Sequence, residues 1–169
     1  MRINHINIVV SNMERSLNFY EGLLGLRRVF ETDLTGEWIE SVTAQRKVNA
    51  HCVFLQPEGG GCRIELLEYR NPKGGLVPNN SLANTIGVRH LAFEVDDVQA
   101  TFEQMVAKGT PFLSEPVEVP FSLMGNVRKR LCYAVDPDGV IVEIADYRNV
   151  EAETDGATAS AAAETTTAA

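Results

Sequence analysis

One order of features occurs twice along this chain, with a period of about 80 residues, and nothing else in the sequence limits the fold as much. That spacing is too long for a solenoid unit and suits a duplicated module. Residues 3–10 (INHINIVV) read as a β-strand with Ile3, His5, Asn7 and Val9 on one face. Ser11-Asn12-Met13-Glu14 then forms a capping-box pattern, Ser11 as N-cap and Glu14 at N3. Met13, Leu17, Tyr20 and Leu24 make the apolar stripe of a helix, with Gly25 as its stop. The order returns at residues 88–109. VRHLAFEV is a strand carrying His90, Asp96 follows the histidine at the spacing of Ser11 from His5, and Gln99 matches Glu14. Val98, Phe102 and Met105 form the second stripe and Gly109 its end.

The ends of the two halves also match. Pro57-Glu58-Gly59 and Pro137-Asp138-Gly139 are hairpin corners. Each leads into a strand, Ile64-Glu65-Leu66-Leu67-Glu68-Tyr69-Arg70 in the first half and Val142-Glu143-Ile144-Ala145-Asp146-Tyr147-Arg148 in the second, similar position by position. Between these ends, Trp38 to Val42 and Val48 to Leu55 are expected as the middle strands of the first half, Pro116 to Val119 and Arg130 to Val135 as those of the second. The organisation expected is a first module over 1–70, an Asn-, Pro- and Gly-rich linker over 71–86, a second module over 87–148, and a disordered Ala/Thr-rich tail over 149–169.

Composition narrows the function classes. A formal net charge of −8 argues against a nucleic-acid partner, which needs a basic footprint. No apolar run is long enough to span a bilayer, and the N-terminus lacks the pattern of a secretory signal. Cys52, Cys62 and Cys132 are an odd set without paired spacing, so the expectation is a reduced, cytoplasmic protein in which the cysteines act as small buried hydrophobes.

The repeat places one histidine in the first strand of each module and one glutamate in the last: His5 and Glu65, His90 and Glu143. Each glutamate stands in an apolar strand, and an acid there is costly unless paired or bound to a metal. Taken singly, a strand histidine is an ordinary half-buried side chain and a strand glutamate faces solvent. As a duplicated set they make a mixed nitrogen and oxygen donor group suited to Zn, Ni, Co, Fe or Mn. His51 is expected to be structural. Arg128-Lys129-Arg130 could hold an anionic group but is read as a solvated run. Gly59-Gly60-Gly61 follows a hairpin corner and opens no helix, so it is not a phosphate loop.

The segments HINIVVSNMERSLNFYEGLLGL, CRIELLEY, GVRHLAFEVDDV and DPDGVIVEIADY together resemble the vicinal oxygen chelate superfamily, which includes glyoxalase I, methylmalonyl-CoA epimerase, extradiol dioxygenases and the fosfomycin and bleomycin resistance proteins. The resemblance covers residues 3–148 and is closest in pattern to the epimerase and glyoxalase I. It implies an α+β fold of two tandem βαβββ modules whose mixed sheets curve into a cup around one metal site. By motif position, His5, Glu65, His90 and Glu143 would be the ligands of one divalent ion.

The same resemblance implies a metal-dependent isomerase, epimerase or lyase that transfers a proton next to a carbonyl through an enolate. Glu143 would be the base and Glu65 its partner on the opposite face of the substrate, a small carbonyl compound or thioester. Family members commonly form homodimers, and the same is expected here. The alternatives are an extradiol ring-cleaving dioxygenase, against which a second carboxylate ligand at Glu65 counts, and a non-enzymatic drug-binding resistance protein, against which the full ligand set counts.

Overall fold

The computed structural model describes residues 1–123 and 125–149. The expectation of a disordered tail therefore lies, from residue 150 onward, outside the described residues. The elements run β1 (His5–Val9), α1 (Met13–Tyr20), β2 (Arg27–Thr35), α2 (Glu37–Thr43), β3 (Asn49–Gln56) and β4 (Arg63–Asn71), then β5 (His90–Glu94), α3 (Val98–Ala107), β6 (Val117–Glu118), β7 (Val127–Val135) and β8 (Ile141–Asn149). Each half is a βαβββ module forming its own four-stranded mixed sheet, ordered β1-β4-β3-β2 in the first and β5-β8-β7-β6 in the second. The first and last strands of each module pair in parallel and the others antiparallel. The described residues divide into two compact units, Met1–Thr85 with the hairpin corner Asp136–Val140, and Ile86–Val135 with β8. Among the described residues no helix is long and apolar enough to cross a membrane.

In the first unit Ile8, Met13, Tyr20, Leu55, Ile64 and Leu66 are buried. In the second, Val98, Met105, Cys132, Val142 and Ile144 are buried. A fully buried side chain of this size contributes roughly 1.5–3 kcal/mol of hydrophobic stabilisation.

The helices begin one residue later than the capping boxes suggest. Asn12, not Ser11, caps α1 by accepting from the Arg15 N–H, and Asp97, not Asp96, caps α3 by accepting from Gln99 and Ala100. The reason is the same in both units. The strand-to-strand hydrogen bonding continues one residue past β1 and β5, from the Val10 N–H to the Leu67 carbonyl and from the Val95 N–H to the Ala145 carbonyl. Ser11 is engaged elsewhere, its N–H and hydroxyl both donating to Asp138 at 2.9 and 2.5 Å. Helix α1 also stops at Tyr20 with Glu21 as C-cap, short of the expected Leu24 and Gly25, and its buried face is Met13, Ser16, Phe19 and Tyr20.

Each helix is tied to its sheet by a carboxylate on the last strand. Glu68 accepts from the Met13 N–H and Asp146 from the Val98 N–H, both at 3.0 Å. These are the first backbone donors of the two helices, which have no partner within the helix and sit at its positive end. Asp146 also accepts two hydrogen bonds from Arg130, at 3.2 and 2.5 Å. Burial works to raise its pKa, but Arg130 and the Val98 N–H outweigh burial and hold it below the usual carboxylate value.

The expected strand at Trp38 to Val42 is corrected by the structure. Those residues lie in α2, and the second strand is Arg27–Thr35, which the sequence reading passed over. Ile39 is the buried residue of α2 and packs with Val48, Ala50, Leu34 and Tyr69. Trp38 and Val42 stand exposed, so their spacing marks the outer face of a short helix rather than one side of a strand. In the second half, β6 is shorter than Pro116 to Val119 and β7 starts earlier than Arg130.

The second hairpin corner is well anchored. The Tyr20 hydroxyl donates to Asp136 Oδ2 at 2.8 Å, and Asp136 Oδ1 accepts from the N–H groups of Asp138 and Val140. Arg15 donates to Asp138 Oδ1 at 2.9 Å. Burial raises the pKa of Asp136 in spite of these donors, and raises that of Tyr20 together with the Asp136 charge.

Asp146 gives a stability test. Asp146→Asn should destabilise the fold by about 3 kcal/mol at neutral pH, the usual cost of breaking a buried charged pair, as measured by urea unfolding. Because the folded-state pKa of Asp146 is depressed, its contribution is present above the unfolded pKa near 4 and is lost as pH falls through the folded value. The parent should therefore lose stability more steeply than Asp146→Asn below about pH 4.

Candidate metal centre

Parallel pairing puts each histidine beside its glutamate. In the first unit Asn7 lies opposite Glu65 and His5 opposite Arg63, so His5 and Glu65 project from the same face. His5 Nε2 stands 3.4 Å from Glu65 Oε2. In the second unit Ala92 lies opposite Glu143 and His90 opposite Ile141. His90 Nε2 is again 3.4 Å from Glu143 Oε2. Both rings are half-exposed, and both carboxylates are more enclosed, Glu143 more so, at 5% side-chain exposure against 16% for Glu65.

Each pair is backed by an aromatic ring from the neighbouring antiparallel strand. Phe54 lies opposite Glu65 and meets His5 edge-on at 5.3 Å between ring centres. Tyr133 lies opposite Glu143, with its ring 5.4 Å from His90. The second oxygen of each carboxylate has a different partner. Glu65 Oε1 faces the Cys52 thiol at 3.6 Å, whereas Glu143 Oε1 accepts from Lys129 Nζ at 2.5 Å. Burial works to lower the Lys129 pKa, but the hydrogen bond and charge of Glu143 prevail and raise it.

Each pair offers one nitrogen and one oxygen donor of the kinds a divalent ion takes. A separation of 3.4 Å is longer than a hydrogen bond. It matches the edge of a tetrahedral coordination sphere, where bonds of about 2.0–2.2 Å set neighbouring ligand atoms about 3.3–3.6 Å apart. The structure brings the four candidate residues together as two pairs. Among the described residues no group of three or more His, Cys, Asp or Glu side chains gathers in one place.

His51 lies on the opposite sheet face, paired across the strands with Asp33 and Glu68, and contacts Glu31 Oε1 at 2.9 Å. It borders a groove of about 520 Å³ along α1 with Leu17, Arg28 and Glu68, away from the face of His5. The basic triplet is not a free anion site: Arg128 pairs with Glu118, Lys129 with Glu143, and Arg130 with Asp146 and Asp97. The sequence reading did not single out Phe54, Tyr133, Cys52 or Lys129 alone. Counting equally to either side of Asp138 places Tyr133 opposite Glu143, but in the first hairpin the register is centred beyond Glu58, between Gly59 and Gly60, so the same count does not reach Phe54.

The sequence pattern of the Glyoxalase/Bleomycin resistance protein/Dioxygenase superfamily matches residues 2–144. The chain belongs to this superfamily. Within it, the chain is 28% identical over 118 residues to human mitochondrial methylmalonyl-CoA epimerase, a match that covers 70% of this chain and 60% of the epimerase. The chain thus spans about 60% of the length of that relative. Among solved structures, a glyoxalase family protein from Bacillus cereus superposes with a TM-score of 0.75 at 22% identity, covering 87% of this chain and 94% of that one. The trypanothione-dependent glyoxalase I of Leishmania major superposes with a TM-score of 0.57, also at 22% identity, with 97% of each chain covered. At these identities the structural likenesses show the shared superfamily fold.

Thiol labelling at pH 8 tests the surroundings of the carboxylates. Burial, reinforced by Glu65, pushes the Cys52 thiol up to about 12, and burial with the charge of Glu143 pushes Cys132 up to about 11. Both should resist alkylation in the folded protein, because the thiolate is the reactive form. Cys62 is partly exposed and should label first, as read by peptide mass spectrometry. Rapid labelling of Cys52 would contradict this description of the first pair.

Proposed function

We propose that the chain is a divalent-metal-dependent isomerase, epimerase or lyase that moves a proton on the carbon beside a carbonyl or thioester group. The observation that carries this reading is the repeated geometry, a histidine nitrogen 3.4 Å from a glutamate oxygen in each of the two sheets. The sequence similarity to a methylmalonyl-CoA epimerase favours proton transfer among the chemistries of the superfamily. His5, Glu65, His90 and Glu143 are assigned as the ligands of one ion, and the two modules, 1–70 and 87–148, as its equal contributors.

When bound, a divalent ion supplies Lewis-acid stabilisation of the negative charge that develops on the substrate oxygen. The residues supply the rest. Glu143, nearly buried beside His90, is assigned as the base that takes the proton, by its position in the motif. Glu65 is assigned to return a proton from the other face. Phe54 and Tyr133 pack against the imidazoles and set their orientation. The chain is assigned as a homodimer on the strength of its superfamily.

Metal content per chain tests the ligand assignment. Elemental analysis should find about one equivalent in the parent, on the four-ligand assignment, and a large loss in His90→Ala. Absence of metal after reconstitution with several divalent ions would overturn the metalloenzyme reading. Solvent-deuterium incorporation into thioesters such as methylmalonyl-CoA tests the base. Glu143→Gln should slow it by about 10²–10⁴-fold, and unchanged exchange with metal retained would remove Glu143 from that role.

A further inference from the structure

The two units share one plan, so a side chain present in only one of them is not required by the plan. Lys129 is such a residue. It lies opposite Tyr147 on the face that carries Glu143, and the corresponding position in the first unit is Ala50, opposite Tyr69. The ammonium group is in hydrogen-bond contact with Glu143 Oε1 and lies 5.5 Å from the centre of the Tyr147 ring. Its side chain is only 16% exposed. The matching oxygen of Glu65 faces the neutral Cys52 thiol instead. Two carboxylates with the same histidine geometry therefore differ in what holds their second oxygen, a full positive charge in one and a weak neutral donor in the other.

We propose that Lys129 is the resident counter-cation of Glu143, which holds that carboxylate in place without metal and opposes a divalent cation on the same carboxylate. The inference rests on the reading of Glu143 as a ligand. A carboxylate withdrawn this far from water needs a charged partner, and a short charge-assisted hydrogen bond provides one. The same ammonium repels a second positive charge sharing the carboxylate, and it does so strongly where water is largely excluded. Lys129 thus stabilises the metal-free pair and weakens its hold on metal. In this same position the ammonium lies over the Tyr147 ring, a second attraction that holds it beside Glu143.

The test compares the full-length parent with Lys129→Met and Lys129→Arg, all stripped of metal by a chelator. Zinc affinity is read by competition with a chromophoric chelator, and the thermal midpoint of the metal-free form by circular dichroism. Lys129→Met should bind zinc about tenfold or more tightly than the parent, a change expected when a like charge leaves a partly buried site. Its metal-free form should melt several degrees lower, and Lys129→Arg should resemble the parent in both respects. A lowered midpoint with unchanged or weaker zinc affinity would make Lys129 a purely structural partner and overturn the inference while leaving the proposed ligands intact. A parent that takes up no zinc would instead overturn the ligand reading, and the inference with it. Should Lys129→Met fail to fold, Lys129→Gln, which keeps a donor for Oε1 without the charge, makes the same comparison.

Discussion

Parallel pairing between the first and last strands of each module is the constraint on which the candidate site depends. It brings residues 58 positions apart in the first module and 51 apart in the second into register, and it places histidine and glutamate on a common face. A slip of one residue would send one partner to the helix side. The last strand resists such a slip because it is committed on both faces. Glu65 and Glu68, like Glu143 and Asp146, are separated by an odd number of residues and so point to opposite sides. The first of each pair joins the histidine and the second caps the helix. One strand thus fixes the donor pair and the helix behind it at the same time.

Much of this was legible in the sequence because it is local or repeated. The first and last strands, helices α1 and α3, the hairpin corners with their glycines at positive φ (Gly59 and Gly139) and the four candidate ligands all follow from short patterns that occur twice. What was lost depended on tertiary register. Trp38 and Val42 looked like alternating strand residues, and only the burial of Ile39 against Val48 and Ala50 makes that segment a helix. The cap positions shifted because Val10 and Val95 remain bonded to the last strands. Lys129 was hidden within a basic triplet whose neighbours face the other way and bond to Glu118 and Asp146.

The duplication also works as an internal comparison. Corresponding residues with the same partner in both units, such as Glu68 and Asp146 on the helix N-termini, belong to the shared plan. Corresponding residues with different partners mark specialisation. The corner of the first hairpin has Glu58 where the second has Asp138, which gathers Ser11 and Arg15, and the site face has Ala50 in one unit where the other has Lys129. Between the two halves of this chain the corners and the site face differ while the strand-to-helix ties stay constant.

The fourth strand of each sheet shows how two copies of a plan meet the same hazard in different ways. An outermost strand offers unpaired backbone groups on which a foreign strand can dock, which invites aggregation. β2 is nine residues long and largely exposed, but it carries Arg27, Arg28, Glu31 and Asp33 along its length. An incoming strand would have to strip water from these charges and disrupt the Arg28 contacts with Glu21 and Glu31. β6 has no such set of charges, but it is only two residues long and presents almost no template. The first sheet is guarded by charge and the second by brevity, so lengthening β6 or neutralising β2 is the change that would turn these strand edges into sticky ones.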